Sequence, residues 1–199
     1  MKRSRIALVT TGAVLAATFA CSCSNRLGPY RDLLVGTPAD ECAAPTAGEV
    51  QVTYLGVHGY LIRSADTTLM VDPYFSRLAM RDVLFNAPVA PSAAAIGYGL
   101  RRGQVPRRID GYLVTHSHFD HLFDIPWIQK RFGGRIVTSP TGRHLSEAMK
   151  VSRRNILPSL PGVVHRIGGA RIHVLAARHD TVLGRAPYPG RISQPLTGP

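Results

Sequence analysis

Four potential metal ligands occur within six residues of this chain, in the segment 116–121 with the sequence HSHFDH, called the hexad below. The hexad follows the apolar run 111–115, which predicts a buried strand, and precedes residues 122–132, which predict a helix. Imidazole and carboxylate are ligands that suit zinc and its neighbours in the first transition row. Of the eight histidines in the chain, three fall in the hexad, so a polar loop with incidental histidines is the weaker interpretation.

The spacing within the hexad predicts how its ligands divide between metal positions. Residues two apart point to the same side of extended backbone, so His116 and His118 can bind one ion together. Asp120 and His121 follow as the chain turns, and can face a second ion. Two ions about 3.5–4 Å apart activate a water and stabilise a leaving oxygen together.

The hexad, preceded by Thr115, resembles the H-x-H-x-D-H signature of the metallo-β-lactamase-fold hydrolases. The upstream pattern YLGxxGYLI followed by VDPYFS resembles the branch with ascorbate-6-phosphate lactonase-like and N-acyl-phosphatidylethanolamine phospholipase D-like enzymes more than true β-lactamases. The resemblance covers about residues 49–180. It implies an α/β fold, the αββα sandwich, of which we expect only the N-terminal part here.

The same resemblance implies the division of metal ligands. His116, His118 and His179 would form a three-imidazole first site, with a fourth position open for water. Asp120 and His121 would hold the second ion, and Asp120 would also orient the attacking water. The implied activity is that of a zinc-dependent hydrolase, which cleaves an ester, lactone, amide or phosphodiester with a metal-activated hydroxide.

The resemblance also implies two further ligands downstream of His179, a bridging aspartate and a final histidine. The short tail after His179 contains no histidine, and its one aspartate, Asp180, is adjacent to His179. We therefore expect a C-terminally truncated domain that binds at most one Zn²⁺ tightly, where the intact family binds two, with weak or no turnover. The alternatives are an inactive remnant, a metal- or ligand-binding lipoprotein, and a nucleic-acid-processing member, which export disfavours.

Three β-rich runs upstream of the hexad predict strands over 50–55, 58–63 and 67–72. Asp72, at the end of the third run, is expected to accept an N–H from a ligand imidazole, and the alternative is an aspartate that caps a turn. His58 is expected to be packed or on the surface, with lining of the pocket as the alternative.

Residues 76–106 have the character of an insertion that caps the pocket. A short helix is predicted over 78–85, followed by Ala- and Gly-rich chain through Gly99. The candidates for substrate contact in this region are Tyr98, Arg101 and Arg102.

Downstream of the hexad, helices and strands alternate. The helix beginning at Asp124 is followed by a strand over 135–139, a helix over 140–149, and paired strands over 162–167 and 170–177. Three histidines in this part are expected to face solvent: His144 on its helix, and His165 and His173 on strands where they alternate with aliphatic residues.

The first 23 residues have a basic start and a short apolar core, which is typical of a bacterial export signal. A cysteine directly after the core resembles a lipoprotein box, in which Cys21 or Cys23 is lipidated; cleavage near Ala20 and an uncleaved anchor are the alternatives. Lipidation of Cys21 would leave Cys23 and Cys42 able to pair in an oxidising space. We expect a periplasmic or cell-surface protein, anchored to the membrane by lipid.

Residues 24–48 lack periodicity and predict a tether, which makes 49–199 the folded domain.

The chain carries 24 Lys and Arg against 12 Asp and Glu, a net charge of +12. This charge favours anionic substrates, nucleic acid or anionic lipid, unless it reflects biased composition. Aromatic residues do not interleave with the arginines, so we expect a small-molecule or lipid-like substrate and no nucleic acid. No Cys-x-x-Cys occurs, so cysteine is not an expected metal ligand.

Overall fold

The computed structural model describes residues 43–85 and 87–177, together with 192, 194 and 196. The predicted export signal with Cys21 and Cys23, and the predicted ligand His179, lie outside the described residues. Within the described part, no helix combines the length and the apolar character needed to cross a membrane.

A six-stranded sheet organises the domain, in the order β1-β2-β3-β4-β5-β6. The first three strands pair antiparallel through tight turns, whereas β3 to β6 pair parallel and require helical crossovers. Each predicted strand of this sheet is present within two residues of its expected bounds, and β6 was not predicted. The strands are β1 Gln51–Gly56, β2 Gly59–Arg63, β3 Thr68–Val71, β4 Gly111–Leu113, β5 Arg135–Thr138 and β6 Ile156–Pro158.

Helices fill the crossovers, and their starts follow local signals. Ser92 and Ser139 each accept a hydrogen bond from the backbone N–H three residues on, which satisfies an orphan donor of the first turn. The described helices are α1 Met80–Leu84, α2 Ala93–Arg102, α3 Phe119–Leu122, α4 Ile125–Phe132 and α5 Pro140–Ala148, with a 3₁₀ turn at Arg153–Asn155.

No helix was predicted in the Ala- and Gly-rich chain through Gly99, but α2 occupies this region. Ile96 and Leu100, four residues apart on one face, are buried in the core. Gly99 lies on the same side, where the ring of Phe75 fills the space that a Cβ would take. Gly99, one of the glycines that argued against a helix here, therefore allows Phe75 to pack closely against α2.

The two faces of the sheet alternate along each strand and build two apolar clusters. One face packs against the helices, through Leu61, Met70, Tyr112 and Ile136. The other face packs against a hairpin of β7 Val164–Ile167 and β8 Ala170–His173, which pair antiparallel. The described residues thus form helix, sheet and hairpin layers, and the α/β class is confirmed.

The predictions for the downstream histidines need correction. His144 is 5% exposed, so the prediction of a surface position is wrong. Helix α5 buries residues on more than one side, so its short polar sequence does not reveal which side faces solvent. His165 is half-buried, with Nε2 2.7 Å from the carbonyl oxygen of Pro158, whereas His173 is exposed as predicted.

Candidate metal centre

The carboxyl ends of the parallel strands meet at one edge of the sheet. Asp72 follows β3 and the hexad follows β4, and the backbone N–H of Asp72 donates to the carbonyl of Leu113 over 3.1 Å. Open α/β sheets bind their ligands at this edge. The parallel register therefore brings Asp72 beside the hexad, although the two are far apart in sequence.

Asp72 connects the two strand ends through its carboxylate. The backbone N–H of Thr115 donates to Oδ1 over 2.9 Å, and the hydroxyl of Thr115 donates to Oδ2 over 2.5 Å. The backbone of Asp72 has a φ of 42°, a left-handed conformation that aspartate adopts more readily than most residues. The side chain of Asp72 is 1% exposed, so the accepting carboxylate of these bonds is buried.

His121 lies against the same carboxylate, with Nδ1 2.8 Å from Oδ2 of Asp72. Because a carboxylate only accepts, we assign the proton to Nδ1, which leaves Nε2 directed to Asp120 at 3.5 Å. Burial lowers the pKa of His121, but the hydrogen bond and charge of Asp72, with the charge of Asp120, outweigh it and raise that pKa above its ordinary value. A cation at Nε2 would compete with a proton.

His116 and His118 converge at the same edge. Nε2 of His116 and Nδ1 of His118 are 3.0 Å apart, and the ring of His116 lies 3.9 Å from that of His121. Two ring nitrogens at this separation fit one first-row cation, which binds each imidazole at about 2.0–2.1 Å. The donor set and the spacing of these residues therefore fit a metal ion.

Among the residues at this edge, His58 had the weakest sequence evidence for a role in the site. It lies in the turn between β1 and β2, and its ring stacks on that of His121 at 5.0 Å and 23°. His58, Asp120 and His121 each offer one ligand atom, and these atoms all lie within 4.8 Å of one another. His58 lies near the hexad because β2 pairs antiparallel with β3, which places the start of β2 beside the end of β3.

Asp124 fixes the segment that follows Asp72. Its carboxylate accepts the backbone N–H groups of Phe75 over 2.6 Å and Ser76 over 2.8 Å, and the Ser76 hydroxyl over 2.5 Å. Burial raises the pKa of Asp124 above its usual value, although the bonds from Ser76 and Phe75 act in the opposite direction. Asp124 was predicted only as the start of a helix, because its partners lie far away in sequence.

An apolar cavity of about 450 Å³ opens beside the hexad. Ser117 and Phe119 of the hexad form part of its wall, together with Val83 of α1, Leu145 of α5 and Met149 directly after α5. Tyr98, Arg101 and Arg102, the predicted substrate contacts, do not line this cavity and lie on the accessible side of α2. A second cavity, at the opposite edge of the sheet, contains no residue of the hexad.

The sequence model of the metallo-beta-lactamase superfamily matches residues 52–191, from β1 through the hexad and beyond. The chain belongs to this superfamily. The family predicted from the hexad is thereby confirmed, and the particular branch stays a prediction.

Curated relatives of this chain are described as UPF0173 metal-dependent hydrolases. The chain is 26% identical over 138 residues to the protein of Myxococcus xanthus and 31% identical over 139 residues to that of Anaeromyxobacter sp. (strain K). These matches cover 69% and 67% of this chain but 41% and 44% of the relatives. The chain therefore spans less than half the length of these relatives.

Solved structures to which the chain is similar include CmlA, a diiron β-hydroxylase from Streptomyces venezuelae, and the metallo-β-lactamase SMB-1 in complex with mercaptoacetic acid. CmlA has a TM-score of 0.44 and 22% identity, over 66% of this chain and 24% of its own. SMB-1 has a TM-score of 0.42 and 17% identity, over 65% of this chain and 51% of its own.

Proposed function

We propose that this protein is a zinc-dependent hydrolase that cleaves an ester, lactone or phosphodiester at the hexad. The observation that carries the proposal is the convergence of the hexad ligands, His116, His118, Asp120 and His121, at the carboxyl edge of the sheet. Membership of the superfamily and the description of its relatives as metal-dependent hydrolases support it.

The proposed ligands divide as the sequence predicts. His116 and His118 would bind one cation together with His179, and Asp120 and His121 would bind a second. Bound zinc supplies Lewis acidity and lowers the pKa of a water to near neutrality. The donors are imidazole and carboxylate groups, which suit zinc and also its first-row neighbours.

The protein's own groups orient the reaction. Asp72 holds the Nδ1 proton of His121, so Nε2 keeps its lone pair and a fixed direction toward the centre. Asp120 is 30% exposed at its side chain, so its carboxylate reaches water at the mouth of the site. Its Oδ2 can accept a proton from an attacking water, in the role of a general base.

The apolar cavity supports a substrate with an alkyl, acyl or aryl group. Ser117 and Phe119 belong both to the hexad and to the cavity wall, so a group seated in the cavity would lie beside the segment that carries the metal ligands. Burial of apolar surface contributes about 25 cal/mol per Å², which favours a lipid-like substrate over a small polar one. Such a substrate agrees with our further proposal of an exported lipoprotein, lipidated at Cys21 or Cys23.

Hydrolysis by the purified full chain tests the function. We expect weak turnover, as the sequence predicts, of a p-nitrophenyl ester, a lactone or bis(p-nitrophenyl) phosphate, which a chelator removes and zinc restores. Asp120→Asn is expected to lower turnover by at least about 100-fold, because general base catalysis contributes 10²–10⁴. The matched control is His173→Ala, an exposed histidine on β8.

Turnover that survives chelation or Asp120→Asn would contradict the proposal. Tight zinc binding without hydrolysis of any of these substrates would instead support the alternative of a metal-binding lipoprotein.

A further inference from the structure

We infer that His58 is a metal ligand, and that with Asp120 and His121 it forms a three-ligand site for one divalent cation. This inference rests on the proposed function in one respect, that the hexad binds metal. The hexad supplies two ligands to this position, Asp120 and His121. His58 would be a third ligand, and it comes from a different part of the chain, the β1–β2 turn.

The backbone of the β1–β2 turn directs His58 to the sheet edge. Gly56 has a φ of 93° and Val57 a φ of 55°, and the pairing register shifts between Tyr54 and Gly56. A positive φ at a β-branched residue such as Val57 is uncommon, so the turn is not the default one for this sequence. Its effect is to bring the imidazole of His58 over that of His121, where the rings stack at 5.0 Å.

The three ligand atoms already lie close together. All are within 4.8 Å of one another, and Oδ2 of Asp120 is 3.5 Å from Nε2 of His121. Ligand atoms around a tetrahedral zinc are about 3.3 Å apart, so a modest contraction completes the site. His58 is the exposed member of the group, so its side chain is not part of the packed core.

The chemistry of the group fits a catalytic position. Two imidazoles and one carboxylate leave a fourth position open, as in zinc sites that act on a bound water. Asp120 and His121 alone provide two ligands, which is fewer than such sites use. The hydrogen bond from His121 to Asp72 leaves Nε2 as the coordinating atom, so the buried ligand is already oriented for the ion.

Metal titration of the full chain tests the inference. The apo protein is titrated with Zn²⁺ by calorimetry and with Co²⁺ by visible absorption, for the unaltered chain, His58→Ala, His58→Asp, Asp120→Ala and the control His173→Ala. We expect His58→Ala to lose one bound equivalent or to weaken its Kd by at least about tenfold, since even indirect ligand supports cost 10–100-fold. His58→Asp, which retains a ligand, is expected to recover much of the affinity and to change the Co²⁺ spectrum.

The outcomes separate this inference from the proposed function. Unchanged stoichiometry, Kd and Co²⁺ spectrum in His58→Ala, with binding lost in Asp120→Ala, would overturn the role of His58 and leave the hexad site standing. Loss of an equivalent in His58→Ala, in a chain that hydrolyses no tested substrate, would support the ligand and contradict the hydrolase. Absence of any Zn²⁺ binding by the unaltered chain would overturn both. Circular dichroism of each variant verifies that the fold is retained.

Discussion

The carboxylate of Asp72 lies 2.8 Å from Nδ1 of His121, and it also accepts two hydrogen bonds from Thr115. The buried side chain of Asp72, at the end of β3, thus contacts Thr115, which follows β4, and His121, which lies in α3. These two residues stand at the start and the end of the segment that carries the hexad. His121 is held in position before any ion binds, because its tautomer and its ring plane follow from this contact.

Asp72→Asn tests this relationship. The amide cannot accept from Nδ1 of His121 with the strength of a charged carboxylate, so we expect zinc affinity to fall by about 10–100-fold. Competition with a chromophoric chelator measures the change. Asp110→Asn is the control, because Asp110 also accepts a backbone N–H, from Thr68, but at the other end of β4. Equal affinity in the two variants would contradict a role of Asp72 in orienting the ligand.

Asp124→Ala is expected to destabilise the fold by about 3 kcal/mol. The substitution leaves the buried N–H of Phe75 and the part-buried N–H of Ser76 without their acceptor, and each such loss costs about 1–3 kcal/mol when the group is buried. Urea unfolding followed by circular dichroism measures the free energy of unfolding. Glu147→Ala is the control, since its contacts with His144 and Arg153 at 3.8 and 4.0 Å are expected to contribute less than about 1 kcal/mol. Similar losses in the two variants would contradict the assignment.

Two glycines in α2 are expected to respond to alanine in opposite directions. A Cβ at Gly99 would overlap the ring of Phe75, so Gly99→Ala is expected to lower stability by about 1–3 kcal/mol through overpacking. At Gly97 the nearest atom is Nη1 of Arg101 at 3.4 Å, so Gly97→Ala is expected to gain up to about 1 kcal/mol from helix propensity. Thermal unfolding of both variants checks the pair, and stabilisation by both would show that α2 does not pack on Phe75 as described.

Val83→Trp is expected to narrow the apolar cavity and to select against long acyl chains. Each buried methylene contributes about 0.8 kcal/mol. If two methylene groups of an octanoyl ester no longer fit in the cavity, kcat/KM for that ester is expected to fall about tenfold. An acetyl ester, which does not reach the cavity, is expected to change less than about twofold. Val164→Trp, on an exposed position of β7, is the control. An equal effect of Val83→Trp on both esters would contradict the acyl subsite.

The elements that the sequence predicted well are those with local signals. The alternation of 50–55 predicts β1, the apolar run 111–115 predicts β4, and the Asp-Ile-Pro start predicts α4, because each depends on neighbours within one strand or turn. Helix α2 was missed because its glycines mask the apolar spacing of Ile96 and Leu100. The burial of His144 was missed because neighbours from other elements cover α5 on more than one side.

The candidate site divides in the same way. The sequence by itself determined that four ligands follow one buried strand, because His116, His118, Asp120 and His121 are concentrated in six residues. It also indicated Asp72, through its position at a strand end. Only the tertiary structure decided that the carboxylate of Asp72 faces His121 and that His58 lies with Asp120 and His121. Strand pairing, antiparallel for β2–β3 and parallel for β3–β4, brings these residues together, and no local sequence pattern specifies which strands pair.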